Sequence, residues 1–142
     1  MKIVRFEDVE SWKEGRKLCN MVYEIARHGQ FSRDFGLRDQ IQRAAVSIVS
    51  NIAEGFDSKS NAEFYRFLIY ARRSISEVKS QLYVAIDAKY ISQQEFNIIY
   101  NQADKVGKLT NGFLRFLSAN KKSKPRLPNN KQTNEQANEI TF

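Results

Sequence analysis

The side chains that could take a proton, attack an electrophile or hold a metal are few in this 142-residue chain. Its one cysteine, Cys19, and its one histidine, His28, stand nine residues apart on one helical stretch and do not meet there. A Cys/His nucleophile pair and a zinc site of cysteine or histidine type are thereby excluded. The GKLT at Gly107 lacks the upstream glycine and the preceding strand of a phosphate loop. What remains is carboxylate and cation chemistry. Arg43, Ser47, Ser50, Asn51 and Glu54 recur at helical spacing inside the apolar run LRDQIQRAAVSIVSNIAEGF, Leu37 to Phe56. A carboxylate such as Glu54, perturbed by apolar surroundings, is one way to build a general acid or base. The expected role of Arg43, Ser47, Asn51 and Glu54 is instead structural: a hydrogen-bonded network fixing helix register or a subunit interface, because polar groups on a buried helix need partners. No catalytic residue, metal or cofactor is expected, and the chain reads as a non-enzyme.

The cations form a second set. Lys59, Arg66 and Arg73 are spaced by seven, Arg72 is adjacent, and Lys79 follows. On a helix such residues recur about every 10 Å and can track a phosphate backbone. Glu63 and Glu77 sit four residues after Lys59 and Arg73. Pairs at that spacing would neutralise part of the stripe, so a solvated, self-paired face suits the same residues.

Both sets need helices to position them. The run Leu37–Phe56 is apolar on two faces, Leu37, Ile41, Ala44, Ala45, Ile48 and Ile52 on one, Val46, Val49, Ala53 and Phe56 on the other, which predicts a buried central helix closed by Gly55 in the left-handed position after its end. Before it, a helix over residues 9–28 starts at the N-cap Asp8 and carries Trp12, Leu18 or Cys19, Val22, Tyr23 and Ala26 inward. Lys13, Arg16, Lys17, Glu10 and Glu14 give it a mixed solvated face, and Phe31 and Phe35 plug the connector that follows. Ser60 with Glu63, and Ser92 with Glu95, have capping-box spacing and open a third and a fourth helix, the fourth ending near Ala119. Phe64, Phe67, Leu68, Ala71, Ile75, Val78, Leu82 and Ala85 form a heptad-like core stripe on the third. A further set on that helix, Tyr65, Ile69, Tyr83, Ile86 and Tyr90, points elsewhere and predicts an oligomer interface.

The chain has Gly 6 and Pro 2, and both prolines, Pro125 and Pro128, follow the last periodic segment, so long unbroken helices are favoured. The fold class is all-α: an antiparallel up-down-up-down four-helix bundle over residues 1–120 with a basic, polar, disordered C-terminal tail over 121–142. An unpaired cysteine, no signal-peptide pattern at the start and no apolar run of about 18 residues point to a reducing cytoplasm and no membrane insertion.

The run QIQRAAVSIVSNIAEGF, Gln40 to Phe56, resembles the signature of a small bacterial four-helix bundle family named after proteins encoded in intervening sequences of 23S ribosomal RNA genes. Phe6, Asp8, Trp12, Leu18 and Tyr23 upstream and FLIYARRSISEV downstream extend the likeness to about Phe6–Leu117. Gln42, Val49 and Arg73 stand where the family commonly has Arg, Pro and Gly. The resemblance implies a pentameric ring with no settled enzymatic activity. Through relatives that accompany the reverse transcriptases of diversity-generating retroelements, it also implies binding to nucleic acid and to a polymerase partner.

The net charge is +7, of which the tail contributes five basic and two acidic residues, or +3, and residues 1–120 contribute 18 and 14, or +4. A body so mildly basic suits solubility as well as RNA or DNA binding. Repetition of the stripe in a ring changes that balance by avidity. The expected function is a non-catalytic homo-oligomeric scaffold that binds structured RNA or DNA through Lys59, Arg66, Arg72, Arg73 and Lys79. The alternative is a protein-interaction adaptor for a polymerase or other partner.

Overall fold

Each helix start is fixed by a side chain or turn that occupies amides the helix itself leaves unbonded. Asp34 Oδ1 accepts from the Leu37 amide (3.1 Å), Ser60 Oγ from Glu63 (3.3 Å) and Ser92 Oγ from Glu95 (3.0 Å). At Ser92 the box is reciprocal, with Glu95 Oε1 accepting from the Ser92 amide at 2.9 Å. The computed structural model describes residues 2–123, with the side chains of the last three left out. Four helices result: α1 Glu10–Ala26, α2 Phe35–Asp57, α3 Asn61–Asp87 and α4 Gln93–Ser123, with 3-10 turns at Phe6–Asp8 and Phe31–Arg33. There is no strand among the described residues. The all-α, up-down-up-down bundle expected from periodicity is the fold. The tail expected over 121–142 lies outside the described residues, apart from the backbone of 121–123, which carries α4 past its expected end near Ala119.

The helices form a square in which α2 packs on α1 and α3, and α4 packs on the same two from the opposite corner. The core between them is made by Leu18, Val22, Ile41, Ile48, Ile52, Phe64, Leu68, Val78, Leu82 and Val106, all fully buried. Helix α2 is therefore a corner and not a centre. Of its second apolar face, Phe56 is buried, Val49 and Ala53 are half-buried and Val46 is exposed.

Other local expectations give way to tertiary contacts. Asp8 lies in the 3-10 turn, and α1 starts from Val9 with no side-chain cap. Phe31 is fully buried, but Phe35 opens α2 with 62% of its surface exposed. Gly55 does not terminate α2. It lies within it, where a Cβ would stand 2.7 Å from the Phe67 Cβ and 2.9 Å from Phe64 Cδ1. The glycine is needed for the approach of α3, and the left-handed residue after α2 is Lys59, at φ 55°.

Candidate nucleic-acid interface

The five cations assigned from spacing to a single stripe occupy three places. Lys59 is exposed in the α2–α3 turn. Arg66 and Arg73 lie on the outer side of α3 and flank Tyr70, their guanidinium carbons 6.0 and 5.8 Å from its ring centroid. Arg72 and Lys79 turn toward α4. Arg72 Nη1 donates to Asn111 Oδ1 at 3.3 Å, while Lys79 pairs with Asp104 and stands 5.1 Å from the Tyr100 ring centroid.

The pairing also differs from the i,i+4 expectation. Glu63 bonds Arg66 (2.6 Å) and leaves Lys59, and Glu77 forms no ion pair with Arg73. Among the described residues Arg73 thus has no ion pair, and it stands beside Tyr70, which is 37% exposed. The reason is geometric: Lys59 has left the helix, so the i,i+4 relation to Glu63 does not exist there.

The polar residues of α2 separate as well. Asn51 Nδ2 donates to the Ser47 carbonyl oxygen (2.8 Å) and to Ser47 Oγ (2.9 Å), and Ser47 Oγ accepts from Ser74 Oγ of α3 at 2.9 Å. Arg43 and Glu54 are exposed and take no part in this set, which corrects the expected four-residue network. Arg43 lines the groove between α2 and α3 beside Ser47, Ser74 and Glu77, yet its side chain reaches past the bonded set toward solvent. Ser74 is the missing member. Its small polar side chain within a core stripe was the available signal.

Of the aromatic and aliphatic set expected at an oligomer interface, three members are occupied within the chain. Tyr90 packs against Phe31 (ring centroids 5.4 Å) and donates its hydroxyl to Asp34 Oδ2 at 2.9 Å, a bond that raises its pKa above the usual phenol range. Ile86 is half-buried against the core, as is Ile69. Tyr83 is exposed and forms a ring cluster with Phe96 and Tyr100, at 4.9 and 5.7 Å. Tyr65 is exposed at the other end of the same α3/α4 edge. The five do not share one face, because Tyr90 lies beyond α3 in the turn to α4.

The group the sequence misplaced is Glu14, read as part of a solvated face but only 5% exposed. Lys105 Nζ of α4 reaches it at 2.6 Å and Lys17 Nζ at 3.1 Å, and Gln102 Nε2 donates to its backbone oxygen at 2.8 Å. The hydrogen bonds from Lys105 and then Lys17 outweigh burial and hold its pKa down at about 2, from an ordinary 4.5. Its position at i−4 from the fully buried Leu18 placed it near the core side.

As a proton carrier near neutral pH, a carboxyl at about 2 is poorly matched. Burial pushes the Cys19 thiol up to about 11, which leaves it a weak nucleophile. His28 is exposed at the end of α1 with Nε2 2.9 Å from Glu24 Oε1. Among the described residues, no group of three or more His, Cys, Asp or Glu side chains is placed to hold a metal ion, and no helix is long and apolar enough to cross a membrane.

Over residues 7–112 the sequence matches the family described as 23S rRNA-intervening sequence protein. Among solved structures, a protein with unknown function from the S23 ribosomal protein family of Bacteroides thetaiotaomicron is similar at 23% identity, with a TM-score of 0.68 over 73% of this chain and 97% of that one. At that identity the likeness shows the shared fold. No match is found among curated proteins.

Proposed function

The chain belongs to the 23S rRNA-intervening sequence protein family, and from that premise we propose that it is a non-catalytic, homo-oligomeric scaffold, pentameric by family resemblance, that binds structured RNA or DNA through basic surfaces repeated in each subunit. The observation that carries this reading is the outer side of α3, where Arg73 keeps an unpaired charge beside exposed Tyr70 and Arg66 flanks the ring from the other turn. Phosphates meet such a surface without base-specific readout. Subunit contacts fall to the exposed Tyr83 cluster, since Tyr90 and Ile86 are used inside the chain.

The test is fluorescence anisotropy of a labelled RNA hairpin at two salt concentrations, with light scattering to count subunits. Wild type should bind more weakly as salt rises. Arg66→Glu with Arg73→Glu should cost about tenfold or more and flatten the salt dependence, since the slope falls by roughly one unit for each cation withdrawn from a phosphate. Unchanged affinity in that double variant removes α3 from the reading.

A second reading, an adaptor for a polymerase or other protein partner, is favoured by exposed apolar side chains where α1 meets α2. There Val46 is 40% and Tyr23 38% exposed, along a shallow groove shared by α1 and α2. Under it, Val46→Glu abolishes partner binding and leaves RNA affinity intact.

A further inference from the structure

Between α3 and α4, where α3 begins, runs an open groove of about 450 Å³ lined by Tyr65 and Arg72 on one side and Asn111, Leu114, Arg115 and Ser118 on the other. Its volume lies within the range of small-ligand sites, roughly 300 to 1,000 Å³. The spacing explains the lining. Tyr65 and Arg72 are seven apart on α3, and Asn111, Arg115 and Ser118 fall four and then three apart on α4, so each helix offers one face over two turns.

The chemistry of this lining is one-sided. Two guanidinium groups, an amide, a hydroxyl and a phenol face it, and among the described residues no carboxylate does. Three other grooves on the surface each include an acid: Asp39 between α1 and α2, Glu77 between α2 and α3, and Asp34 beside Tyr90. Arg72 spends a single donor on Asn111 Oδ1, which leaves its other N–H groups for a ligand and the Asn111 amide nitrogen as a further donor. Arg115 is exposed with no ion pair or hydrogen bond among the described residues, and Tyr65, 40% exposed, has no ring contact or hydrogen bond there either.

We infer that the α3/α4 groove binds a phosphate carried next to an unpaired nucleobase, with Arg72, Arg115 and the Asn111 amide on the phosphate and the base stacked on Tyr65. A duplex keeps its bases stacked on one another, whereas an exposed aromatic ring flanked by cations recognises a base whose face is free. The inference rests on the nucleic-acid reading above and adds to it a place, away from Arg66 and Arg73, and a class, unpaired strand. It also takes Tyr65 out of the subunit interface to which its exposure had assigned it.

The test uses the full chain and two labelled probes, a short unstructured oligouridylate and an RNA duplex of equal length, with free uridine monophosphate as competitor. Arg72→Gln with Arg115→Gln should weaken oligouridylate binding about tenfold or more while duplex binding stays within about threefold. Tyr65→Ala should lose several-fold on the oligouridylate and Tyr65→Phe should retain it, with unchanged thermal unfolding in both because the side chain is exposed. Displacement by millimolar uridine monophosphate assigns the groove to free nucleotides; displacement by unlabelled oligouridylate alone assigns it to a strand. Wild-type affinity of the Arg72/Arg115 double variant for the oligouridylate overturns the groove and leaves the α3 reading standing. A changed oligomeric state in Tyr65→Ala also overturns it, by returning Tyr65 to a subunit contact. If neither probe binds the wild type, the groove and the nucleic-acid reading fall together.

Discussion

At the seam between α2 and α3, Gly55 lets the helices approach until a Cβ there would stand 2.7 Å from the Phe67 Cβ, and the polar atoms it encloses, on Ser47, Asn51 and Ser74, are neutral and bonded to one another. At the seam between α1 and α4, the enclosed polar group is a carboxylate, Glu14, answered by two lysines whose own side chains are more than half exposed. The first seam depends on shape and is indifferent to pH. The second depends on charge and admits water to the cationic half of its pair. The Ser47–Asn51–Ser74 set and the Glu14 carboxylate are both hydrogen-bonded, but the charged group keeps its partners in contact with solvent, because a fully dehydrated ion pair recovers little of its desolvation cost.

The largest break in that comparison should come from Gly55→Ala. The added methyl has nowhere to go against Phe67 and Phe64, and overpacking of this kind costs typically about 1 to 3 kcal/mol; chemical denaturation should show a lower midpoint with an unchanged slope. The same substitution at Gly15, where the nearest atom is the movable Val49 Cγ1 at 3.1 Å, should cost distinctly less. A stability loss at Gly15 equal to that at Gly55 would show that helix-backbone approach is not what distinguishes the α2/α3 seam.

Next in size is Glu14→Gln, at about 1 kcal/mol near neutral pH once screening of the exposed lysines is allowed for. Its sign with pH is fixed. The folded-state pKa is lowered to about 2 from 4.5, so the stabilisation is fully present above about 4.5 and is lost as pH falls through about 2. Unfolding curves of wild type and variant should therefore converge on acidification over that window. Ser74→Ala should cost a similar or smaller amount, about 1 kcal/mol, with no dependence on pH between about 3 and 8. Convergence of its curve with wild type in acid would mean that the neutral set is coupled to a titrating group. The smallest effect is expected outside both seams, at Lys89, which holds φ 64° after α3. Lys89→Gly relieves that left-handed strain and should raise stability by roughly 0.5 to 1 kcal/mol, visible as a small rise in Tm.

The candidate interface was less legible than the bundle, and particular residues show why. Arg66 and Arg73 were found by their spacing of seven because both stay on one side of a straight helix. Arg72 and Lys79 keep the same spacing, yet they turn to Asn111 and Asp104 across the seam with α4, partners 39 and 25 residues away in sequence. Lys59 dropped out of the stripe because the helix had not begun. Glu14 looked solvated from its charge and its lysine neighbours on α1. Its burial depended on Lys105 and Gln102, on a helix that begins nearly eighty residues later.

By itself the sequence determined the number and order of the helices, their capped starts at Ser60 and Ser92, the heptad-like stripe of α3 and the family signature, since each rests on bonds or periodicities spanning a few neighbouring residues. Only the tertiary structure decided that α2 is a corner, that Gly55 is a contact and not a stop, that Tyr90 belongs to the core side of Phe31, and which cations remain unpaired. Those depend on which helix faces which across the square, and the free energy that selects such neighbours comes from packing between distant segments that no local window contains.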